Sequence, residues 1–197
     1  MKEYYDNGEF EFEGEYLNGE RNGKAKEYKE KGELIFEGEY LDGKRNGKGK
    51  EYYNDGFRIF EGEYLNGERS GKAKEYFKNG TIKFEGVYSR GERNGKGKEY
   101  YENGKLKFEG EYSNGVKNGK GGGKEYNNDG KLEYEGEYLN GKRNGKGKEY
   151  NNDGELEFEG EYLNGQRWNG KVKEYGLFGE LIFEGEYLNG EKNLIMM

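Results

Sequence analysis

The sequence predicts an all-β fold, an elongated and twisted single antiparallel sheet of consecutive β-hairpins. The first supporting observation is a repeat with a period close to 24 residues, whose units begin at Phe12, Phe36, Phe60, Phe84, Phe108, Tyr134, Phe158 and Phe183. The second is the alternation of rings or glycine with charged residues inside each unit. A fixed period of this size is typical of solenoids and extended arrays, in which each unit packs only against its neighbours.

Each unit contains two short predicted strands joined by a tight turn. Residues 12–17 read FEGEYL, the period-2 pattern of a half-buried strand, and residues 24–28 read KAKEY. Between them lie Asn18-Gly19 and Asn22-Gly23, residue types that tolerate the positive φ of a hairpin connection. A second turn, such as residues 54–56, leads to the next hairpin. The chain contains no proline and no sustained helical pattern of apolar residues, so we expect strands throughout.

The charges and the small residues suggest a register for each hairpin. Placing Glu13 opposite Lys26 and Glu15 opposite Lys24 forms two cross-strand pairs of opposite sign, each contributing about 0.2–1 kcal/mol. The same register places Gly14 opposite a position that is Ala25 in the first unit and small in almost every other. A glycine that recurs inside a strand indicates the close approach of another group. We expect that group to be an aromatic ring.

The sequence leaves open which face of the sheet carries Tyr28 and the aromatic residues at the same position of the other repeats, which we call the Tyr28 column. Strict alternation places Tyr28 on the face opposite Phe12. Either a bulge near Glu27 returns it to the Phe12 face, or both faces of the sheet carry rings.

The predicted domain organisation is one continuous array. An N-terminal half-repeat occupies residues 1–11, and seven repeats that start at 12, 36, 60, 84, 108, 134 and 158 occupy residues 12–182. A C-terminal half-repeat with an apolar tail occupies residues 183–197. The insertions that lengthen two of the units are predicted to lie within hairpins.

Composition restricts the function. Hydrophobic residues make up 29% and charged residues 38%, which is close to the composition of a disordered chain. The aromatic residues, 16% of the chain, recur at fixed positions of the repeat and therefore indicate an ordered chain. The chain has no cysteine and no histidine, which excludes disulfides, thiol catalysis, histidine bases and the usual zinc sites. Its glutamates recur at the same positions of each repeat together with lysines, so we interpret them as solvent-exposed rows of ion pairs along the sheet. We therefore expect no enzyme activity, no catalytic residue, no cofactor and no metal.

The charge pattern bears on partners and location. The net charge is −7, and the two signs alternate finely without a basic stripe. This predicts no nucleic-acid binding and disfavours, without excluding, an anionic membrane surface. No apolar leader or membrane-spanning stretch is evident, so we expect a cytoplasmic protein.

The repeat resembles the MORN (membrane occupation and recognition nexus) family. Residues 36–49, FEGEYLDGKRNGKG, fit its pattern of an aromatic residue followed by spaced glycines, and residues 100–112, YYENGKLKFEGEY, look like the variant in bacterial antitoxin-like proteins. The resemblance covers nearly the whole chain. It departs from the family in its period, in Asn22 where histidine is common, and in Tyr16 where tryptophan is common. It implies an elongated sheet that acts as a scaffold, with no catalytic residues to transfer.

Three functions follow as expectations. The first is a non-enzymatic scaffold that binds an unidentified protein, with self-association, head to tail or as a dimer, as an extension. The second is a peripheral membrane or phosphoinositide-binding module. The third, an antitoxin-like protein that neutralises a cognate toxin, rests on the bacterial variant alone.

The candidate interaction residues are the irregular ones. Trp168, an inserted residue, is expected to protrude at a hairpin turn, either as a contact residue or folded onto Tyr162 or Tyr175. The N-terminal half-unit carries Tyr4, the C-terminal half-unit carries Tyr187, and two copies joined end to end nearly restore the repeat phase. This suggests head-to-tail assembly through the terminal strands. The alternative, which we favour, is that the apolar tail, with Leu194, Ile195 and Met196, folds under the array as a cap.

Overall fold

The computed structural model describes residues 1–176 and 179–194. Within these ranges the regular elements are strands, and the 18 strands belong to one antiparallel sheet. The chain follows the sheet from hairpin to hairpin, because strands pair with their neighbours in sequence. Where residues 116–117 form a short strand, the strand after it pairs past it with residues 108–109. The predicted all-β fold of consecutive antiparallel hairpins is therefore confirmed.

Contacts divide the chain into two units, and the division falls inside one strand. The first unit comprises Met1–Gly95 and Glu102–Gly104. Its strands are β1 (Lys2–Tyr4), β2 (Phe10–Leu17), β3 (Glu20–Tyr28), β4 (Leu34–Leu41), β5 (Lys44–Tyr52), β6 (Arg58–Leu65), β7 (Glu68–Tyr76), β8 (Ile82–Ser89) and the beginning of β9 (Glu92–Tyr100).

The second unit comprises Lys96–Tyr101 and Lys105–Met197. After the end of β9, its strands are β10 (Leu106–Ser113), β11 (Val116–Lys117), β12 (Gly119–Tyr126), β13 (Leu132–Leu139), β14 (Lys142–Tyr150), β15 (Leu156–Leu163), β16 (Gln166–Tyr175), β17 (Leu181–Leu188) and β18 (Glu191–Leu194). The glycine-rich insertion lies in β12, where the pairing with β13 shifts between Gly119 and Gly123.

Two kinds of turn connect the strands, as the sequence predicts. At the tip of the first hairpin, Asn18 and Gly19 have φ values of 51° and 87°, the left-handed pair that suits a two-residue hairpin turn. The link to the next hairpin is a four-residue turn, in which the Gly32 amide donates to the Lys29 carbonyl at 2.8 Å. Both patterns recur along each unit.

The predicted register is half right. Glu13 faces Lys26 and Gly14 faces Ala25, but Glu15 does not face Lys24, because the ladder is interrupted between Gly14 and Tyr16. Gly23, with φ of 69°, bends β3 there, and the Glu15 carboxylate folds across it into space that a Cβ would fill. Lys24 instead faces Glu39 of the next hairpin. Alternation predicted the wrong pair because a glycine bulge interrupts it.

The core lies on one face of the sheet, which we call the core face. The Phe12-type rings, from Phe12 to Phe158, are completely buried. They pack flat against the strand glycines, since a Cβ on Gly38 would lie 2.6 Å from the Phe36 ring. The Tyr16-type rings pack edge-on between the Phe12-type rings. Tyr40, for example, lies 5.3 Å from Phe12 and 5.9 Å from Phe36 in T-shaped contacts. The rings thus form a continuous row within each unit, a geometry that aromatic quadrupoles favour.

Both faces of the sheet carry rings, which settles the position of the Tyr28 column. Tyr76, a member of that column, donates from its hydroxyl to the Glu61 carboxylate at 3.2 Å. Glu61 follows the buried Phe60 in β6 and so lies on the opposite face, which we call the outer face. The bulge that the sequence suggested does exist between Glu27 and Tyr28, but the tyrosine column stays outside.

Candidate functional site

A row of cations covers the buried rings on the core face, and sequence reasoning missed it. The guanidinium of Arg45 lies 4.0 Å from the Phe36 ring centroid, and that of Arg69 lies 4.1 Å from Phe60. The column is occupied by Arg21, Arg45, Arg69, Arg93, Lys117, Arg143, Arg167 and Lys192. A cation over a ring face at this distance is attracted by the ring quadrupole. The signal was a basic residue that recurs just after each hairpin tip.

Each cation is held by a carboxylate of the Glu27 column. Arg69 donates two hydrogen bonds to Glu51, at 2.9 and 2.6 Å, and Tyr64 donates a third. Burial alone would raise the pKa of Glu51, but the hydrogen bonds from Arg69 and Tyr64 lower it below its ordinary value. The pKa of Glu75 is lowered in the same way by Arg93 and Tyr88. These carboxylates stay ionised and tied to their partners, an arrangement that stabilises the array and leaves them unsuited to acid–base catalysis.

The outer face is polar in its centre. Lys74 lies 4.0 Å from Glu85, and Lys148 lies 3.2 Å from Glu159, in pairs that are about half exposed. Exposed pairs of this kind contribute at most about 1 kcal/mol each, because water and salt screen them. Both signs alternate across this surface, so it presents no field of one sign to a charged partner.

A row of leucines lines the outer face beside the hairpin tips. Each follows a Tyr16-type residue and therefore points away from the core face. In the first unit Leu17, Leu41 and Leu65 are 59%, 47% and 57% exposed. In the second unit the row comprises Leu139, Leu163 and Leu188. This leucine row was not singled out from the sequence, although its leucines recur with the repeat.

Trp168 does not protrude from a hairpin turn. It lies within β16, at the point where the pairing with β15 skips a residue, and its side chain is half-buried. Its ring lies over the next hairpin turn, 3.3 Å from where a Cβ on Gly190 would be, and its carbonyl accepts from the Gly190 amide at 2.9 Å. The strand absorbs the inserted residue as a bulge, so the indole packs on the neighbouring hairpin.

The two predicted terminal tyrosines differ in exposure. Tyr4, in β1 of the first unit, is 55% exposed and packs against Phe10 with the ring centroids 5.1 Å apart. Tyr187, in β17 of the second unit, is half-buried, with its ring 5.7 Å from Phe158. Tyr187 faces Gly170 of β16 in the ladder.

The remaining predicted contact residues are those of the apolar tail. The backbone of Leu194 ends β18 and faces Gly185 of β17. Ile195 and Met196 lie outside the described residues, as do residues 177–178. The prediction that the tail caps the array therefore stays a prediction.

Comparison with known proteins agrees with this geometry. The family model described as the MORN repeat matches residues 12–33, 36–58, 60–82, 108–121 and 134–155, and the model described as the MORN repeat variant matches residues 93–114 and 123–140. No curated protein matches the chain. Among the described residues, no helix is long and apolar enough to cross a membrane. The matched segments cover more than half of the sequence, and those of the MORN repeat model begin on the aromatic positions that start the repeats. The chain belongs to the MORN-repeat family.

Proposed function

We propose that this chain is a non-enzymatic scaffold that binds protein partners through the leucine row of its outer face. MORN repeats occur in scaffolds for protein and membrane interactions, which supports this class of function. The exposed leucine row is the observation on which we choose this surface as the binding surface. Isolated exposed leucines are ordinary on a protein surface. Here three leucines in each unit are aligned in one column at the hairpin tips, alternating in the first unit with the charged residues that face them across the turn.

The geometry of the leucine row fits an extended apolar segment of a partner. Successive repeats are separated by two strand spacings, about 10 Å, so the three leucines of the first unit span about 20 Å. The Glu and Lys ladders beside the leucine row provide the polar border that surrounds most protein interfaces. The Glu27-column carboxylates already have partners on the core face, which further favours recognition on the outer face.

The test replaces the leucines by a residue that the array already uses. Ser89 and Ser113 occupy the leucine column, so we expect Leu17→Ser, Leu41→Ser and Leu65→Ser together to preserve folding. A control variant carries Glu9→Lys and Glu33→Lys, at the opposite end of the strands from the leucines, where later repeats have lysine. Partners are recovered by proximity labelling and then purified, and binding is measured by calorimetry.

We expect purified partners to bind the wild type and the control and to lose affinity for the triple-serine variant. Equal affinity for all three chains would remove the leucine row from the proposal. Circular dichroism melting of the three chains shows whether folding is intact.

Self-association head to tail is a second proposal, favoured by the packing of the outermost rings. Tyr40 lies between two buried Phe rings, whereas the contact of Tyr16 is with Phe12, at 5.7 Å. Phe183 is half-buried, whereas Phe158 is completely buried. If copies join head to tail, Phe183 of one copy and Tyr16 of the next would contact each other as Phe12 and Tyr40 do within the array.

Light scattering after size exclusion, over a hundredfold range of concentration, tests this assembly. Head-to-tail assembly requires the mass to rise with concentration without a plateau, and deletion of residues 194–197 to prevent the rise. A constant mass of 22.8 kDa would eliminate self-association and favour the capping tail. A plateau at twice that mass would indicate a closed dimer instead.

Binding at a membrane surface ranks lower, because the charge of the chain is −7 and its basic residues are interleaved with acidic ones. Sedimentation with vesicles that contain phosphatidylserine and phosphoinositide, at physiological salt, measures it directly. We expect no significant pelleting; strong pelleting would reverse this ranking.

A further inference from the structure

A cavity near the start of the first unit is lined by two tyrosines and several acidic side chains. Its volume is about 290 Å³, and its lining comprises Tyr4, Tyr5, Asp6, Asn7, Glu11 and Glu30. Three of the six are carboxylates and none is basic. Cavities that combine aromatic rings with carboxylates suit organic cations, because ring faces and negative charge both attract them.

The tyrosines are held in place by contacts within the unit. The Tyr5 hydroxyl donates to the Tyr28 carbonyl at 2.8 Å, and Asn7 donates to the Glu30 carbonyl at 2.8 Å. Tyr4 is 55% exposed. The site is therefore built before any ligand arrives, with one ring fixed and the other accessible from solvent.

The repeat itself provides an internal comparison, because Tyr53 occupies the Tyr5 position two repeats later. There the chain places its own cation on the ring. The Lys78 ammonium lies 5.4 Å from the Tyr53 ring centroid and 3.2 Å from an oxygen of Asp55. The Lys78 hydrogen bond lowers the pKa of Asp55. Lys78 occupies the position that is Glu30 in the first site, 48 residues earlier.

A third copy of the site, in the second unit, repeats this arrangement with a different lysine. Tyr101 occupies the Tyr5 position, and the Lys107 ammonium lies 5.7 Å from its ring centroid. Lys107 stands where the first site has Glu11, 96 residues earlier. In both later sites the ring thus carries an internal ammonium group. In the first site, both of the positions that supply that group are glutamates.

The cations nearest the first site are engaged elsewhere. Arg21 is hydrogen-bonded to Glu3 and reaches Glu11 only at 3.9 Å. The Lys29 ammonium donates to Asn54 at 2.7 Å, and the Lys2 ammonium lies 4.5 Å from the Phe10 ring centroid. Burial, followed by the charges of Glu11, Glu30 and Glu27, raises the pKa of Tyr5, while Arg21 lowers it. Negative charge therefore dominates around this ring.

We propose that the cavity formed by Tyr4, Tyr5, Asp6, Glu11 and Glu30 binds an organic ammonium group from outside the chain. The ligand takes the place that Lys78 and Lys107 occupy in the later copies. Two sources share this chemistry, a lysine side chain of a partner protein and a free aliphatic diamine. The site is separate from the leucine row, so its failure would leave the proposed scaffold function untouched.

The test is an NMR titration of the full chain at about 0.15 M ionic strength, where weak surface attraction is largely screened. The probes are 1,4-diaminobutane and the tripeptide Gly-Lys-Gly, with glycyl-norleucyl-glycine as the neutral counterpart of the tripeptide. We expect saturable shifts at Tyr4, Tyr5 and Glu30 with at least one cationic probe and none with the neutral peptide. Shifts with the diamine alone identify a free ligand, and shifts with the lysine peptide identify a side chain.

The variant Glu11→Lys with Glu30→Lys converts the site to the chemistry of its later copies, and the array tolerates lysine at both positions. Its matched control is the pair Glu20→Lys and Glu68→Lys, which changes the net charge equally away from the cavity. We expect the first variant to weaken binding at least about tenfold and the control to leave it within about twofold.

Tyr5→Asn, a residue found in this column at Asn127 and Asn151, should also weaken binding, because it removes the ring. An equal loss in both charge variants would show general electrostatic attraction and overturn the proposal. So would the absence of saturable shifts with both cationic probes in the wild type.

Discussion

Two glycines that pair across neighbouring strands should differ strongly in how much an added methyl group lowers the free energy of unfolding. Gly38 and Gly49 face each other across β4 and β5 under the Phe36 ring. A Cβ on Gly38 would lie 2.7 Å from the Gly49 Cα, 2.7 Å from the Lys48 carbonyl oxygen and 2.6 Å from the Phe36 ring. A Cβ on Gly49 would meet ring atoms, at 2.6 Å for Phe36 and 2.9 Å for Tyr64.

The expected magnitudes follow from which atoms can move. Overpacking a core costs about 1–3 kcal/mol, and contact with backbone on the neighbouring strand places Gly38→Ala at the upper end, about 3 kcal/mol. Gly49→Ala needs only a ring displacement, which Ala25 and Ala73 already impose in other repeats. The alanine also restricts the unfolded chain, a gain of about 0.4–1 kcal/mol. We expect Gly49→Ala to stay within about 1 kcal/mol of the wild type.

Urea unfolding followed by circular dichroism checks this pair. With an m-value of about 2–3 kcal/mol/M, Gly38→Ala should lower the midpoint by about 1 M, and Gly49→Ala should move it by less than about 0.5 M. Because arrays can open regionally, hydrogen exchange of the β4 and β5 amides provides a second readout. Equal midpoints for the two variants, or a larger loss for Gly49→Ala, would refute the assignment of the clash to the backbone.

Three further predictions concern the cation row and the tryptophan. Arg69→Ala should destabilise the chain by about 2–4 kcal/mol in urea unfolding, because it leaves Glu51 half-buried without its cation, whereas Arg69→Lys should lose much less. The pKa values of Glu51 and Glu75 are lowered in the folded chain, so the stability that these carboxylates contribute is present above about pH 4.3 and is lost as the pH falls through their folded-state pKa values. Replacing both by glutamine should make the melting temperature depend less on pH in this acidic range. Trp168→Ala should cost about 1–2 kcal/mol and speed hydrogen exchange at the Gly190 amide, and unchanged exchange there would contradict the packing of the indole on that turn.

The sequence determined the architecture because the evidence for it is local and repeated. Asn18-Gly19 specifies a tight turn by its own φ preferences, and alternation over residues 12–17 specifies a strand with one buried face. The recurring Gly14 column indicated a ring against the backbone, and the Phe12-type rings lie there. With the period, these signals were enough for the fold and for the family.

Tertiary structure decided what depends on where alternation breaks and on which repeats meet. The bulge at Gly23 moved Lys24 from Glu15 to Glu39, and no local preference specifies that shift. The Arg45 guanidinium covers Phe36 and binds Glu27, 18 residues earlier, so this network joins neighbouring hairpins and could not be derived from one repeat. The cavity at Tyr5 has the same origin: its acidic lining comes from residues up to 24 positions apart, which only the packing of one hairpin beside the next brings together.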